Sequence, residues 1–326
     1  MGRDAGRPLV ASRSSIYCRS GDCSARRAAA LPPSFGAVLP RPNVRARIAA
    51  AGVILVALWG PPAALAGSPN VAALQVALRA EGVYVGSIDG VRGSATRAGV
   101  VEVQRRAGLP LTGIAGPRTR RALGRRGGPR LGSRTLSSGA RGWDLAGLQF
   151  LLGRHGFPSG PVDGGFGGRT EAALIRFQRW AGLPVVGYAG PATRRALRRR
   201  VTRPRIHLHR PSDAPISSLF GPRGDAFHAG VDFSAPTGSP VRAAASGHVT
   251  SAAWLAGGYG YTVIVDHGGG AETMYPHLSR ILVRNGQALG AGTVVGLAGS
   301  SGRSTGPHVH WELRIRGAAR DPLRAR

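Results

Sequence analysis

The chain has 326 residues, a length that predicts two or three domains rather than one. Hydrophobic residues make up 42% of the chain and charged residues 18%, a composition that excludes an intrinsically disordered protein. The formal net charge is +29, and because the sequence contains no lysine, arginine carries all of the side-chain positive charge.

The arginines are spread along the whole chain, without the interleaved aromatic residues of a single-stranded nucleic-acid platform. We therefore expect no specific nucleic-acid partner. Two origins of the charge stay open: a coding bias that replaces lysine by arginine, or an attraction to anionic polymers.

The first 66 residues predict a leader with an export signal. Arg45 and Arg47 precede an apolar run at 48–59, which is followed by a small-x-small cleavage site, so residues 44–66 are predicted to be a signal peptide and the mature chain to begin near Gly67. The apolar run is shorter than the roughly 20 residues that a membrane-spanning helix needs. We expect no stable membrane span after cleavage, with an uncleaved anchor as the alternative.

Both cysteines, Cys18 and Cys23, lie in this leader. The mature protein is therefore predicted to have neither a disulfide nor a thiolate metal site. Any metal ion would have to be held by histidine and carboxylate side chains.

Two segments of the chain repeat one another, since residues 71–123 match residues 145–197 at a constant offset without a gap. Three features recur at matching positions: the dipeptide Leu-Gln, a glycine eight residues after the leucine of that dipeptide, and the tetrapeptide Ala-Gly-Leu-Pro. The glycines are Gly82 and Gly156. A duplicated module is the economical explanation.

Each copy predicts three short helices with a glycine-rich loop after the first. In the second copy Leu148 and Leu151 belong to a helical apolar stripe that Gly156 ends. Thr170 is predicted to cap the second helix, and Pro191 to open the third. The sequence thus predicts small all-α (three-helix) modules.

We assign the modules to residues 70–124 and 142–198, followed by arginine-rich segments at 124–141 and 194–205. The second copy contains Leu-Gln, a helix-ending Gly, Asp-Gly-x-Phe-Gly, Thr-x-x-Ala, Phe-Gln and Gly-Leu over 148–183, and in these residues it resembles the peptidoglycan-binding domain 1 family. The resemblance implies that the modules bind peptidoglycan, with a spacer role as the alternative.

The first copy departs from this pattern, because Arg92 replaces the loop aromatic residue and Val103 stands where the second copy has Phe177. Its binding therefore stays open. As tethers, the modules would raise the effective concentration of an attached domain at the polymer without changing that domain's chemistry.

From Ile216 onward the pattern changes to short apolar runs between glycine and proline turns, which is typical of β-strands. Strands are predicted at 241–249, 262–266 and 292–297, and no long helical stripe is present. This indicates an antiparallel all-β domain over residues 210–326.

A set of histidines and one aspartate in this domain suits a metal ion. His228 and Asp232 are an even number of residues apart and would share a face of an extended segment. The alternating segment H-V-H-W-E-L-R-I places His308, His310 and Glu312 on one face of a strand. Two imidazoles and a carboxylate suit Zn²⁺ and leave a fourth position for water. Five other histidines are assigned surface or structural positions: His155, His207, His209, His248 and His267.

Separated motifs in this domain carry a second resemblance: F-G-P-R at 220–223, F-H-A-G-V-D-F at 227–233, G-Y-G-Y-T-V-I-V-D-H-G at 258–268, Y-P-H-L at 275–278 and S-T-G-P-H-V-H-W-E at 304–312. In these residues the domain resembles the lysostaphin/LytM-type zinc endopeptidases. The resemblance implies a β-sandwich-like domain with a long groove. It also implies zinc bound by His228, Asp232 and His310, with His277 and His308 as the catalytic pair.

These resemblances predict a secreted, monomeric zinc endopeptidase of the cell wall that hydrolyses peptide cross-links of peptidoglycan, with anionic wall polymers as a further partner. Two alternatives stay open: a non-catalytic LytM-like activator of a separate wall hydrolase, and a wall-binding structural protein. D-alanyl–diaminopimelate cross-links are favoured over Gly–Gly bridges as the substrate. Which of the two catalytic histidines is the general base also stays open.

Overall fold

The computed structural model describes residues 67–325. The predicted signal peptide and both cysteines lie outside these residues. Across the described part of the chain, none of the helices has the length and apolar character needed to cross a membrane.

Each repeat folds as three helices, as predicted. The helices are α1 (Pro69–Ala80), α2 (Ser94–Arg106), α3 (Pro117–Ala122), α4 (Trp143–Arg154), α5 (Gly168–Trp180) and α6 (Pro191–Leu197), and a 3₁₀ turn (Gly124–Gly127) follows α3. Proline begins α3 and α6, where a missing N–H leaves no hydrogen bond unmade.

The prediction that Thr170 caps α5 is wrong, because the cap is Gly167 and the helix begins at Gly168. Thr170 is buried in the first turn, where its hydroxyl accepts a hydrogen bond from Gln149 at 3.2 Å and donates one to the carbonyl of Gly165 at 3.3 Å. The threonine therefore ties the first helix to the loop instead of capping the second helix.

The glutamine of each Leu-Gln pair organises this loop. Gln149 donates to Asp163 and Gly165, both at 2.9 Å, and its carbonyl oxygen accepts the N–H groups of Asp163 and Gly164. In the first repeat Gln75 likewise donates to Asp89 and Val91 and accepts the N–H of Gly90. A buried amide with all of its groups bonded stabilises one loop conformation, which explains the polar residue inside each small core.

The two repeats share a core. Trp143, Ala146 and Phe150 of the second repeat lie in one apolar cluster with Leu74 and Leu78 of the first. Their burial joins α1 to α4, so the repeats form a single helical unit rather than two separate modules.

From Ile216 onward the secondary structure is almost entirely antiparallel strands, which confirms the predicted fold class. They are β1 (Ile216–Ser218), β2 (Gly221–Arg223), β3 (Ala226–His228), β4 (Val231–Phe233), β5 (Pro240–Arg242), β6 (Gly247–Leu255), β7 (Gly260–Asp266), β8 (Ala271–Leu278), β9 (Arg280–Ile281), β10 (Ala288–Leu289), β11 (Val294–Leu297), β12 (Val309–Ile315) and β13 (Ala318–Arg320).

The largest sheet has the order β1-β4-β12-β8-β7-β6-β10, with β13 paired to β12. A three-stranded sheet has the order β5-β11-β9, and β2 pairs with β3 in a hairpin. Strand β12 lies between β4 and β8, with Val309, Trp311 and Leu313 buried, so its residues are held on both sides.

The prediction of one strand over 241–249 is wrong, because this segment is divided between β5 and β6 in different sheets. The chain leaves β5 at Ala243 and Ala244. The N–H of Ala243 donates to the carbonyl of Thr293, and the N–H of Ala244 donates to the hydroxyl of Tyr275 at 2.7 Å. These bonds lie outside any strand pairing, and the apolar pattern alone does not reveal them.

The second repeat packs directly on the β domain. The N–H of Ala319 donates to the carbonyl of Gly156 at 3.0 Å, and the guanidinium of Arg320 donates to the carbonyl of His155 at 2.8 Å. Ala318 lies within the apolar cluster of the repeat. The end of α4 is therefore fixed against β13.

Gly156→Ala is expected to destabilise the chain more than Gly82→Ala. Both glycines have positive φ, +83° and +72°, so alanine at either position costs about 1–2 kcal/mol. An added Cβ meets nothing within 4 Å at Gly82, but it would lie 2.2 Å from the carbonyl oxygen of Ala319 at Gly156. Urea unfolding should give the lower midpoint for Gly156→Ala. Equal midpoints would show that the contact with Ala319 contributes nothing to stability.

Candidate metal centre and active site

His228 ends β3 and Asp232 lies in β4, separated by a tight connection through Gly230. A Cβ on Gly230 would lie 2.7 Å from Nε2 of His310 and 2.5 Å from the carbonyl oxygen of Trp311. Only glycine lets the backbone approach β12 this closely.

His310 lies directly opposite Asp232 in the pairing of β12 with β4. Oδ1 of Asp232 lies 2.6 Å from Nδ1 of His310 and 3.1 Å from Nε2 of His228, and the two ring nitrogens are 3.1 Å apart. All three residues are buried, and among the described residues they form the group of side chains with the geometry to hold a metal ion. The structure thus brings together the three ligands that the resemblance implies.

The hydrogen-bond partners indicate how each ring is oriented. Nδ1 of His228 donates to the carbonyl of Leu219 at 2.9 Å, so its Nε2 turns a lone pair toward Asp232. Nε2 of His310 donates to the carboxylate of Glu312 at 3.2 Å, and its Nδ1 faces Asp232, where a cation would take the place of the Nδ1 proton. One proton can bridge only one of the three close pairs, whereas a metal ion contacts all three atoms, so the residues fit a divalent cation such as Zn²⁺.

The electrostatics of the site favour a positive charge beside Asp232. Burial alone would raise the pKa of Asp232, but hydrogen bonds with His228 and His310 outweigh it and hold that pKa well below its ordinary value. Burial alone would lower the pKa of His310, but its bonds to Asp232 and Glu312 raise it to about 9. A cation between these groups is stabilised by the same two carboxylates.

Arg314 and Tyr259 support Glu312, the carboxylate that bonds to His310, and the sequence analysis assigned neither residue a role. Nε of Arg314 donates to Glu312 at 2.9 Å, and Nη2 of Arg314 donates to the hydroxyl of Tyr259, also at 2.9 Å. Burial alone would raise the pKa of Glu312, but His310 and Arg314 lower it to about 2. Arg314 follows Glu312 by two residues in a strand, so the two side chains share a face, and this spacing could have predicted that Arg314 belongs to the site.

Arg223 holds the other side of the aspartate, with Nη1 2.9 Å from Oδ2 of Asp232. Its side chain is 59% exposed, so solvent weakens the ion pair, and its effect is mainly to orient the carboxylate. The F-G-P-R motif that contributes to the resemblance contains this arginine, but its spacing gave no hint of the contact.

His277 and His308 lie beside His228, Asp232 and His310, and the ring centroids of His277 and His308 are 5.1 Å apart. Nδ1 of His277 donates to the carbonyl of Ser301 and Nδ1 of His308 to that of Gly306, both at 2.8 Å. Each Nε2 therefore carries a lone pair, and that of His308 lies 3.8 Å from Oδ1 of Asp232.

His277 has a strained backbone, with φ at +60°. Such a conformation in a residue other than glycine is uncommon and concentrates at functional sites. Burial is the main factor that lowers the pKa of His277, so its imidazole is neutral near pH 7 and able to accept a proton.

An open groove of about 560 Å³, here called the groove, is lined by the three candidate ligands His228, Asp232 and His310 and by His277 and His308. One side comes from the loop at 303–308 and another from Gly257, Gly258 and Tyr259. The remaining histidines lie elsewhere: His207, His209 and His248 are exposed, His267 bonds to Ser246 and Thr273, and His155 is buried in the second repeat.

Residues 226–322 match the model of "Peptidase family M23", and residues 67–123 and 142–197 match that of "Putative peptidoglycan binding domain". M23 is the lysostaphin/LytM-type family, so both resemblances in the sequence are confirmed. The chain contains an M23 peptidase domain preceded by two peptidoglycan-binding repeats.

Three curated proteins illustrate the similarity. The DD-carboxypeptidase/endopeptidase Mpg of Neisseria meningitidis is 46% identical over 114 residues, which is 33% of this chain and 26% of that protein. The peptidoglycan DD-endopeptidase ShyA of Vibrio cholerae is 42% identical over 119 residues, 34% of this chain and 27% of that protein. The glycyl-glycine endopeptidase ALE-1 of Staphylococcus capitis is 37% identical over 101 residues, 29% of this chain and 28% of that protein. The matched region thus spans about a quarter of each relative's length.

Proposed function

We propose that this chain, with its M23 peptidase domain behind two peptidoglycan-binding repeats, is a zinc endopeptidase that hydrolyses peptide cross-links of peptidoglycan outside the cytoplasm. The observation that carries the proposal is the convergence of three candidate ligand atoms, from His228, Asp232 and His310, in an open groove beside two more histidines. Two imidazoles and one carboxylate are a typical ligand set of catalytic zinc.

In this proposal His228, Asp232 and His310 hold the ion, and Glu312 and Leu219 orient the two rings. When bound, zinc polarises a carbonyl oxygen and lowers the pKa of water toward about 7. Arg223 keeps the carboxylate of Asp232 turned toward the two rings.

His277 and His308 move the protons. The Nδ1–H of each is bonded to a backbone carbonyl, so Nε2 of a neutral ring can take the proton of the attacking water. The same nitrogen, once protonated, can donate to the oxyanion of the tetrahedral intermediate or to the leaving amine. With both rings in the groove, one histidine can act as base while the other supports the oxyanion.

The groove and the relatives support a proposal for the substrate class. An open groove lined by glycines admits an extended peptide that lies against the backbone. Relatives named DD-endopeptidase or DD-carboxypeptidase/endopeptidase match this chain at 37–46% identity over about a third of its length, and the glycyl-glycine endopeptidase matches at 37%, so the DD names recur among the relatives and include the higher identities. We favour D-alanyl–diaminopimelate cross-links as the substrate.

Purified chain should release new amino termini from peptidoglycan with diaminopimelate cross-links, and only weakly from walls with Gly–Gly bridges. Mass spectrometry of the soluble products from both wall types, with and without a chelator, identifies the bond that is cut. A chain that binds walls but cuts neither type would instead indicate a structural protein. If walls are cut only after a separate hydrolase is added, the chain is a non-catalytic activator.

A further inference from the structure

One part of the groove comes from outside the peptidase domain. Pro158 and Gly160 line the same groove as His228 and His308, although they belong to the loop between α4 and α5 of the second repeat. Pro158 is half-buried, so part of its ring is available to a molecule in the groove.

Both repeats hold the hairpin that leads to His228. The N–H of Ile88 donates to the carbonyl of Gly224 at 2.8 Å, and the N–H of Val162 donates to the carbonyl of Asp225 at 2.6 Å. Ile88 and Val162 are equivalent positions of the two repeats, so the same loop position in each repeat donates a hydrogen bond to one of two adjacent residues in the β2–β3 turn. The N–H of Gly224 also donates to the hydroxyl of Ser87 at 3.2 Å.

An apolar contact fixes the same hairpin to α4. Phe227, the residue before His228, packs on Gly153 so closely that an added Cβ would lie 3.0 Å from the phenyl ring. Phe227 also contacts Phe220 edge to face, with ring centroids 5.1 Å apart. The hairpin is thus held by hydrogen bonds at its turn and by apolar packing at its base.

The packing of the repeats on the peptidase domain is fixed, unlike the attachment that a flexible tether would provide. A flexible tether changes only the local concentration of the enzyme, so the chemistry of a small soluble substrate is independent of the repeats. Here the repeats are joined to the peptidase domain by backbone hydrogen bonds and a shared core, so their loop has a fixed place beside the ligands.

We propose that the second repeat completes the substrate groove: Pro158 and Gly160 form a wall that contacts the cross-linked peptide next to His228 and determines what fits there. The inference rests on the proposed peptidase function and adds a specificity-determining residue, Pro158, from the repeat. The wall acts through direct contact with the peptide, so its effect falls on substrate binding and not on the zinc ligands.

The test compares three variants of the full chain: Pro158→Trp, Pro158→Ala and Val85→Trp. Val85 is the matched control, because it lies in the same loop of the first repeat, is 96% exposed and does not line the groove. Zinc content, kcat and KM are measured for each variant with a soluble cross-linked peptide dimer that carries no glycan. Such a substrate removes any contribution from binding of the repeats to the polymer.

Pro158→Trp narrows the groove and should raise KM about tenfold, with zinc content unchanged; this is about 1.4 kcal/mol of lost binding. Pro158→Ala removes the ring without adding bulk and should raise KM about threefold. This second variant tests the same contact if Pro158→Trp does not fold. Val85→Trp should match the unmodified chain.

If Pro158→Ala has the KM of Val85→Trp while all proteins hold zinc and cleave the dimer, the wall is not part of the groove and the peptidase function stands. If the unmodified, zinc-loaded chain fails to cleave the dimer, the peptidase function fails and the inference fails with it.

Discussion

His310→Ala should lose both its zinc and its activity, whereas His308→Ala should keep about one zinc per chain and lose turnover. His310 supplies one of three ligand atoms, which all lie within 4.8 Å of one another, and alanine removes it. His308 directs its Nδ1–H to Gly306, and its Nε2 is 3.8 Å from Asp232, so its removal leaves the ligand set intact. The loss of a general acid–base group typically reduces kcat by about 10²–10⁴-fold.

The two variants are matched, because both remove an imidazole from the same short segment. Metal content by elemental analysis and turnover on a defined peptide are measured on the same preparations. Added zinc should partly restore His310→Ala and leave His308→Ala unchanged. If His308→Ala loses zinc while His310→Ala keeps it, the two roles are reversed, and if both keep zinc and full activity, the proposed site is wrong.

Glu312→Gln should reduce zinc affinity by about 10–100-fold, the usual effect of losing a residue that orients a metal-binding histidine. Glu312 accepts the Nε2–H of His310 and is paired with Arg314 on its other oxygen. Glutamine keeps the size of the side chain but removes the charge that turns Nδ1 of His310 toward the ion and increases its basicity. The measurement is competition for zinc against a chelator of known affinity.

Glu272→Gln is the control, because Glu272 lies in β8 of the same sheet and does not line the groove. Its zinc affinity should equal that of the unmodified chain. If Glu312→Gln binds zinc as tightly as this control, the carboxylate has no influence on the ligand and serves only to neutralise Arg314.

The sequence alone predicted the part of the site that lies within short, regular segments. Alternation along β12 places His310 and Glu312 on one face, as their 3.2 Å contact shows, while His308 lies just before the strand. His228 and Asp232 also meet, but they lie in β3 and β4 of different sheets, so the turn through Gly230 brings them together and not the period of one extended segment. The pairing of His310 with Asp232 across two strands was implied by the family resemblance and not by spacing.

Contacts between distant segments could not be predicted. The bond from Arg314 to Tyr259 and the position of Arg223 on Asp232 depend on how loops return to the site. Thr170 was assigned to a cap because threonine favours that position, but its bond to Gln149 crosses between helices and outweighs the local preference. Neither segment has a sequence pattern that indicates the packing of Gly156 on Ala319, so the sequence predicted repeats separate from the β domain.

A crystal structure of the zinc-loaded full chain tests most directly whether His228, Asp232 and His310 hold the zinc ion of a peptidase. Anomalous scattering at the zinc edge locates the ion without reference to any assumed ligand. We predict one strong peak about 2.0–2.2 Å from Nε2 of His228, an Oδ atom of Asp232 and Nδ1 of His310, with a remaining position open to the groove. A peak on other side chains, or no peak at these three residues in protein that cleaves peptidoglycan, would contradict the account.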